Sequence, residues 1–118
     1  MYTLYGIPNC GSVKRARTWL EEQGIDYQFH DYKKLGITKS RLQQWCKQVG
    51  WEKLVNKKGT TWRDLQEEEK NVVTTQAAAI ALMVKENSVI KRPVIEKDDV
   101  VIAVGFDENA YPELFSGK

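Results

Sequence analysis

Cys10 stands where the chain changes from strand to helix, a position at which a thiol is readily turned into a nucleophile. Thr3, Leu4 and Tyr5 are strand formers, and Gly6, Pro8, Asn9 and Gly11 favour a tight turn. From Ser12 to Gln23 the apolar residues Val13, Ala16 and Leu20 recur at helical spacing, with Lys14, Arg15, Arg17 and Glu21 off that stripe. Gly24 follows as the helix-ending residue. The first N–H groups of a helix lack intrahelical acceptors and carry the positive end of its dipole. A sulfur held there is stabilised as thiolate, with a pKa of about 3.5–7.5 instead of about 8.5. Gly11 would let the backbone approach the sulfur, the Ser12 hydroxyl could donate to it, and Lys14 and Arg15 add positive charge nearby. The competing reading is a small buried hydrophobe, which is what free cysteine usually is. Turn residues before Cys10 and a polar helix start after it argue for the reactive thiol.

The other residues able to do chemistry are fewer. His30 is the one histidine, lies in a strand pattern, and reads as structural because no partner is evident near it. It would serve as a base only if the fold carried it to Cys10. Cys46 falls on the apolar stripe Leu42, Trp45, Cys46 and Val49, so it reads as core. A resolving cysteine normally sits two or three residues from the nucleophile, and Val13 occupies that place. Lys57, Lys58 and Arg63 concentrate charge and read first as a solvated surface run. There is no nucleotide-binding glycine fingerprint and no His/Cys/Asp cluster with metal-ligand spacing.

The elements that must position Cys10 follow in order. Ile25–Tyr32 alternates as a strand, so strand, helix and strand within 32 residues make a βαβ unit, normally parallel and right-handed. Lys33–Gly36 reads as a linker, and Thr38 as the N-cap of a helix running to about Val49 and ended by Gly50. Trp51–Lys58 reads as a connector, and Thr60 or Thr61 as the cap of a short helix through Leu65. Thr74 or Thr75 opens a helix to about Asn87 with Ile80, Met83 and Val84 facing inward. Val89–Glu96 reads as strand, interruption, strand, the interruption being Pro93, which suits an edge, a bulge or a tight turn with a cis bond. Asp98-Asp99 makes a hairpin turn into the strand Val100–Val104. Asp107 or Glu108 starts a last helix holding Ala110, Leu114 and Phe115.

At 118 residues the chain reads as one domain with an ordinary core. A formal net charge of +2 gives no reason to expect direct nucleic-acid binding, and the longest apolar run, Ala77–Val84, is far short of a bilayer span. The chain enters a strand at once, without a basic region followed by an apolar one, and its two cysteines make no disulfide framework. The cytoplasm is the expected compartment, with no membrane partner.

A βαβ unit with a cysteine at the first helix mouth, then helices, then a β-Pro-β hairpin and a closing helix, resembles the thioredoxin fold. The expected architecture is therefore α/β, with a mixed sheet and a helical region inserted over about residues 37–87. Tyr5-Gly6-Ile7-Pro8-Asn9-Cys10, Val13-Lys14-Arg15-Ala16, Ile90-Lys91-Arg92-Pro93 and Val104-Gly105-Phe106 resemble the arsenate-reductase-like (ArsC) family. Asn56–Arg63 and the chain length are similar to its YffB subgroup. The resemblance implies that Cys10 is the nucleophile that takes an arsenate adduct and then a glutathione mixed disulfide. It implies that Arg92 binds the anion, and that Pro93 is the cis-proline lying against the cysteine, where its backbone can pair with glutathione. A guanidinium suits that role, since it grips an oxyanion or carboxylate bidentately and favours a thiolate beside it. Gly11 and Ser12 complete the expected site, with Asn9, Lys14, Lys58 and Lys91 as further contacts or sources of charge.

Two departures narrow the expectation. Asn56 stands where arsenate reductases carry a second arginine, and Val104–Asp107 has no basic residue where they carry a third. Arsenate, a doubly charged oxyanion needing several donors, is thereby a weaker expectation than thiol chemistry. The expected function is a glutathione-dependent thiol reductase acting on a small oxidised substrate or a mixed disulfide, with glutathione as co-substrate and no bound cofactor or metal. The alternatives are an Spx-like regulator that binds RNA polymerase without catalysis, and a module that binds glutathione without turnover. Val13 counts against the Cys-x-x-Cys redox switch of Spx but not against polymerase binding.

Overall fold

The computed structural model describes residues 1–116. Its contacts divide into two compact units, one of Met1–Leu35 together with the chain from Arg92 onward, the other of Gly36–Lys91. The first unit carries the sheet. β1 (Tyr2–Gly6) leads through a turn into α1 (Gly11–Glu22), then β2 (Tyr27–Asp31) and the single turn α2 (Tyr32–Leu35). After the second unit the chain returns as β3 (Val94–Lys97) and β4 (Val100–Val104), and closes with α8 (Tyr111–Leu114).

The sheet order is β2-β1-β3-β4. β1 pairs parallel with β2, Tyr5 opposite His30, and antiparallel with β3, Tyr5 opposite Val94. The mixed sheet is therefore the one expected from the resemblance. Side chains alternate across it. One face sends Tyr2, Leu4, Ile95 and Ala103 into a core with Val13, Ala16 and Leu20 of α1 and Tyr111 and Phe115 at the C-terminal end. Trp19 closes this core, its ring 5.4 Å from Tyr111 and 5.5 Å from Phe115. Each fully buried Leu contributes about 1.5–3 kcal/mol, so this apolar face is what holds α1 on the sheet.

The chemistry of the ends explains the boundaries. At the end of α1 the Ile25 N–H donates to the Leu20 carbonyl and the Gly24 N–H to the Glu21 carbonyl, with Gly24 at φ +68°. This is a Schellman close, which needs the left-handed conformation that glycine adopts without a Cβ penalty. The β3–β4 hairpin turns on Asp98 and Asp99, both at positive φ (52° and 67°), as a two-residue turn of the primed type requires. The pairing slips between Ile95 and Glu96, where Ile102 is the extra residue of a β-bulge.

The second unit is helical: α3 (Lys39–Val49), α4 (Trp51–Leu54), α5 (Thr60–Arg63), α6 (Glu67–Asn71), α7 (Gln76–Lys85) and a 3-10 turn at Asn87–Val89. Thr38 and Thr75 cap α3 and α7, accepting from the N–H groups of Arg41 and Ala78. Leu42, Trp45 and Cys46 of α3 and Ala79, Ile80, Leu82 and Met83 of α7 are buried.

Several expectations are corrected here. Lys33–Gly36 is in part helical, and Trp51–Leu54 is a helical turn where a connector was expected. α5 is capped by Gly59, with Thr60 already inside the helix. Val84 is exposed and Leu82 takes its place inward. Ile90 forms an isolated bridge to Val55 instead of a strand. Gly6, expected in the turn, ends β1. The last helix begins only at Tyr111 and leaves Leu114 exposed, because Asp107 first accepts from Asn109, Ala110 and Tyr111 in a preceding turn. Among the described residues no helix is long and apolar enough to cross a membrane, and no group of three or more His, Cys, Asp and Glu could hold a metal ion.

Candidate active site

Cys10 is the N-cap residue of α1, with extended backbone (φ −89°, ψ 128°). Its own N–H donates to the Ile7 carbonyl at 3.2 Å, which closes the turn after β1. Its carbonyl accepts the first helical bond, from the Lys14 N–H at 3.0 Å. The side chain is half-buried and free of any disulfide. Burial alone would push the thiol up. The Val13 N–H, the Arg92 side chain through both a hydrogen bond and its charge, and the Ser12 N–H outweigh that and hold the pKa below its ordinary value. The sulfur closes no full capping bond on these N–H groups; they act on it as the open donors of a helix mouth. Cys46 is the reverse case, buried in α3 and raised by burial.

Arg92 reaches this place from the far end of the sequence, with Pro93 directly after it. The Arg92–Pro93 bond is cis, and the Pro93 carbonyl accepts from the Gly105 N–H at 2.7 Å, tying the lead-in of β3 to the chain leaving β4. Two segments separated by some eighty residues of sequence are thus joined at one sulfur.

Val13 itself is fixed by β1. It is fully buried, and a Cβ built on Gly6 would lie 2.6 Å from its Cγ2 and 3.4 Å from its Cγ1. Gly6 is therefore glycine for lack of space and not for a left-handed backbone. A Cβ on Gly11 would meet Arg15 Nη1 at 3.6 Å, an ordinary contact. A further close approach at the helix mouth is that of Gly6 to the Val13 side chain. Sequence reading missed Gly6, and its one signal was a glycine directly after a strand run ending in tyrosine.

The remaining candidates divide. The Ser12 hydroxyl accepts from Arg15 Nη2 at 3.4 Å, and the Ser12 N–H is one of the groups that lower the Cys10 pKa. Lys14 and Arg15 are exposed on the outer face of α1, where with Trp19, Glu22, Phe106 and Glu108 they line a groove of about 300 Å³. The positive charge that lowers the Cys10 pKa is that of Arg92. Asn9 is exposed in the turn before Cys10. His30 packs its ring 4.6 Å from Tyr5 and 6.1 Å from Tyr32. Lys58 and Lys91 are exposed residues of the helical unit. Asn56 accepts from the Lys58 N–H at 3.2 Å through its side chain, and Lys57 lies over the rings of Trp51 (5.8 Å) and Trp62 (5.4 Å).

With this geometry in place, comparison with known proteins is decisive. The ArsC family matches residues 5–114. The chain belongs to the ArsC family. A Haemophilus influenzae protein is 40% identical over 116 residues, covering 98% of this chain and 100% of that one. The solved structure of the YFFB protein superposes with a TM-score of 0.91 at 44% identity, over 98% of this chain and 100% of that one. An ArsC-related protein from Brucella melitensis gives 0.77 at 46% identity, over 98% and 94%. The global transcriptional regulator Spx of Streptococcus pyogenes is 26% identical over 113 residues, 92% of this chain and 81% of its own length. The ArsC-family fold is thus thioredoxin-like, and both arsenate-reductase-like proteins and Spx regulators are its relatives.

Proposed function

We propose that this ArsC-family protein is a glutathione-dependent thiol reductase with Cys10 as its nucleophile. The observation that carries the proposal is the convergence of Arg92 and the α1 N–H groups on a half-buried sulfur whose pKa they lower. Thiolate is the attacking form in disulfide exchange. The Cys10 thiolate attacks the glutathione sulfur of a mixed disulfide, forming a Cys10–glutathione bond and expelling the substrate sulfur as thiolate, which takes a proton. A second glutathione, as thiolate, then attacks the glutathione sulfur on Cys10, releasing the Cys10 thiolate and glutathione disulfide. The mixed disulfide is reduced to the substrate thiol, and one glutathione thiol joins the glutathione that the mixed disulfide carried to make one glutathione disulfide. Arg92 would orient a carboxylate of the tripeptide, and the backbone at Pro93 would pair with its peptide groups. Gly11 opens the helix mouth, and Asn9 and Lys14 are secondary candidates for ligand contact. Arsenate is the less favoured substrate, since Asn56 and the Val104–Asp107 segment lack the family's other arginines.

The test is intact mass after oxidised and then reduced glutathione, on the parent, Cys10→Ser and Cys46→Ser. A reversible single adduct is expected in the parent and Cys46→Ser and absent in Cys10→Ser. An adduct confined to Cys46, or none on folded parent, rejects the assignment. The identity to Spx favours a second reading, RNA polymerase binding without turnover. A pull-down with this protein as bait that recovers no polymerase subunit would remove it.

A further inference from the structure

We infer that Gly6 is a positioning residue for the Cys10 thiolate, acting through Val13; the inference rests on Cys10 as the working thiol. Gly6 is the last residue of β1 and is buried, and its backbone is not in the left-handed region, so nothing about its conformation demands glycine. What demands it is Val13 Cγ2, 2.6 Å from where a Cβ would stand. Real side chains do not approach that closely, so any larger residue must displace the valine. Valine cannot evade the clash cheaply. In a helix about nine in ten valines keep one χ1 rotamer, and Val13 is fully enclosed by the core that holds α1. The displacement therefore passes to the backbone of the first helical turn. That turn carries the Val13 N–H, one of the donors favouring the Cys10 thiolate. Gly6 and Val13 together thus form a seat that fixes the first turn of α1, whose N–H groups favour the thiolate, and the residue at the usual place of a resolving cysteine is kept apolar by its fit to β1.

A size-compensation set tests this: Gly6→Ala, Val13→Ala and the double variant, each followed by the pH dependence of Cys10 alkylation, read at the Cys10 peptide by mass spectrometry. Gly6→Ala is expected to raise the Cys10 pKa by about half a pH unit or more, the size typical of losing one donor to a charged group. Val13→Ala empties the seat and is expected to raise it by a smaller step. In the double variant the new Cβ no longer meets Cγ2, so its profile is expected to coincide with that of Val13→Ala. A Gly6→Ala profile equal to the parent's, or a double variant shifted as far as Gly6→Ala, overturns the inference. If Gly6→Ala does not fold, Val13→Ala carries the test, and an unchanged profile there overturns it equally. Thermal stability alone does not substitute, because a purely structural glycine would lower it without moving the titration. A parent thiol titrating in the ordinary range would instead count against the functional reading, whichever way the variants differ among themselves.

Discussion

At the scale of single residues, the thiolate of Cys10 depends on groups that can be removed one at a time. Arg92→Ala deletes a hydrogen bond and a charge from the sulfur, so alkylation of Cys10 is expected to shift to higher pH. Coincident curves for variant and parent would show that Arg92 has no electrostatic role there. The lowered pKa also has a stability consequence. A thiol more acidic in the folded than in the unfolded chain stabilises the fold above its unfolded value, and that gain is lost as pH falls through the folded pKa. The stability difference between parent and Cys10→Ser, measured by urea unfolding, is therefore expected to move in the parent's favour as pH rises from the lowered Cys10 pKa into the ordinary thiol range. A flat difference would contradict the shift. Behind β1 lies a second polar feature: the Tyr5 hydroxyl donates to the buried Glu96 carboxylate at 2.6 Å. Tyr5→Phe withdraws a donor from a buried carboxylate and is expected to cost about 1–3 kcal/mol, read as a drop in the urea midpoint.

At the scale of elements, the βαβ start could be read from the chain because each signal there is local. The Val13–Ala16–Leu20 stripe, Gly24 at the Schellman close and the alternation into β2 concern neighbours in sequence. The Thr38 cap and the Leu42–Trp45–Cys46 stripe of α3 were legible for the same reason. The single-turn helices Tyr32–Leu35, Trp51–Leu54 and Glu67–Asn71 are too short for a periodicity to develop. The seat between Gly6 and Val13 is a contact between a strand end and a helix face, which no spacing rule expresses. Arg92 entered only through resemblance, since its meeting with Cys10 is made by the sheet. The hairpin gives a further prediction. Asp98 and Asp99 both occupy the left-handed region that glycine tolerates best. Asp99→Gly is expected to stabilise the protein by about 0.5–1 kcal/mol, seen as a higher melting temperature, and a lower one would show that the Asp99 side chain outweighs its backbone cost.

At the scale of the whole molecule, stability and reactivity are separable. Leu20 is fully enclosed between α1 and the sheet, and Leu20→Ala is expected to cost about 2–5 kcal/mol. Its Cys10 titration is expected to match the parent's, because Arg92 and the first-turn N–H groups are untouched. A shifted titration would mean that global softening alone disturbs the thiolate. The sheet also ends in a way that bears on how the protein behaves when crowded. β4 is an outer strand whose sequence, Val100 to Val104, is apolar throughout, with Val100 largely exposed. Such an edge would ordinarily template strand-to-strand growth between molecules. The extra residue Ile102 breaks the regular spacing of its outward amide groups and increases the local twist, so a second copy laid alongside meets a mismatched ladder. The bulge is in that sense a solubility device. A β4 without Ile102 would offer a second copy an even row of outward amides on an apolar edge.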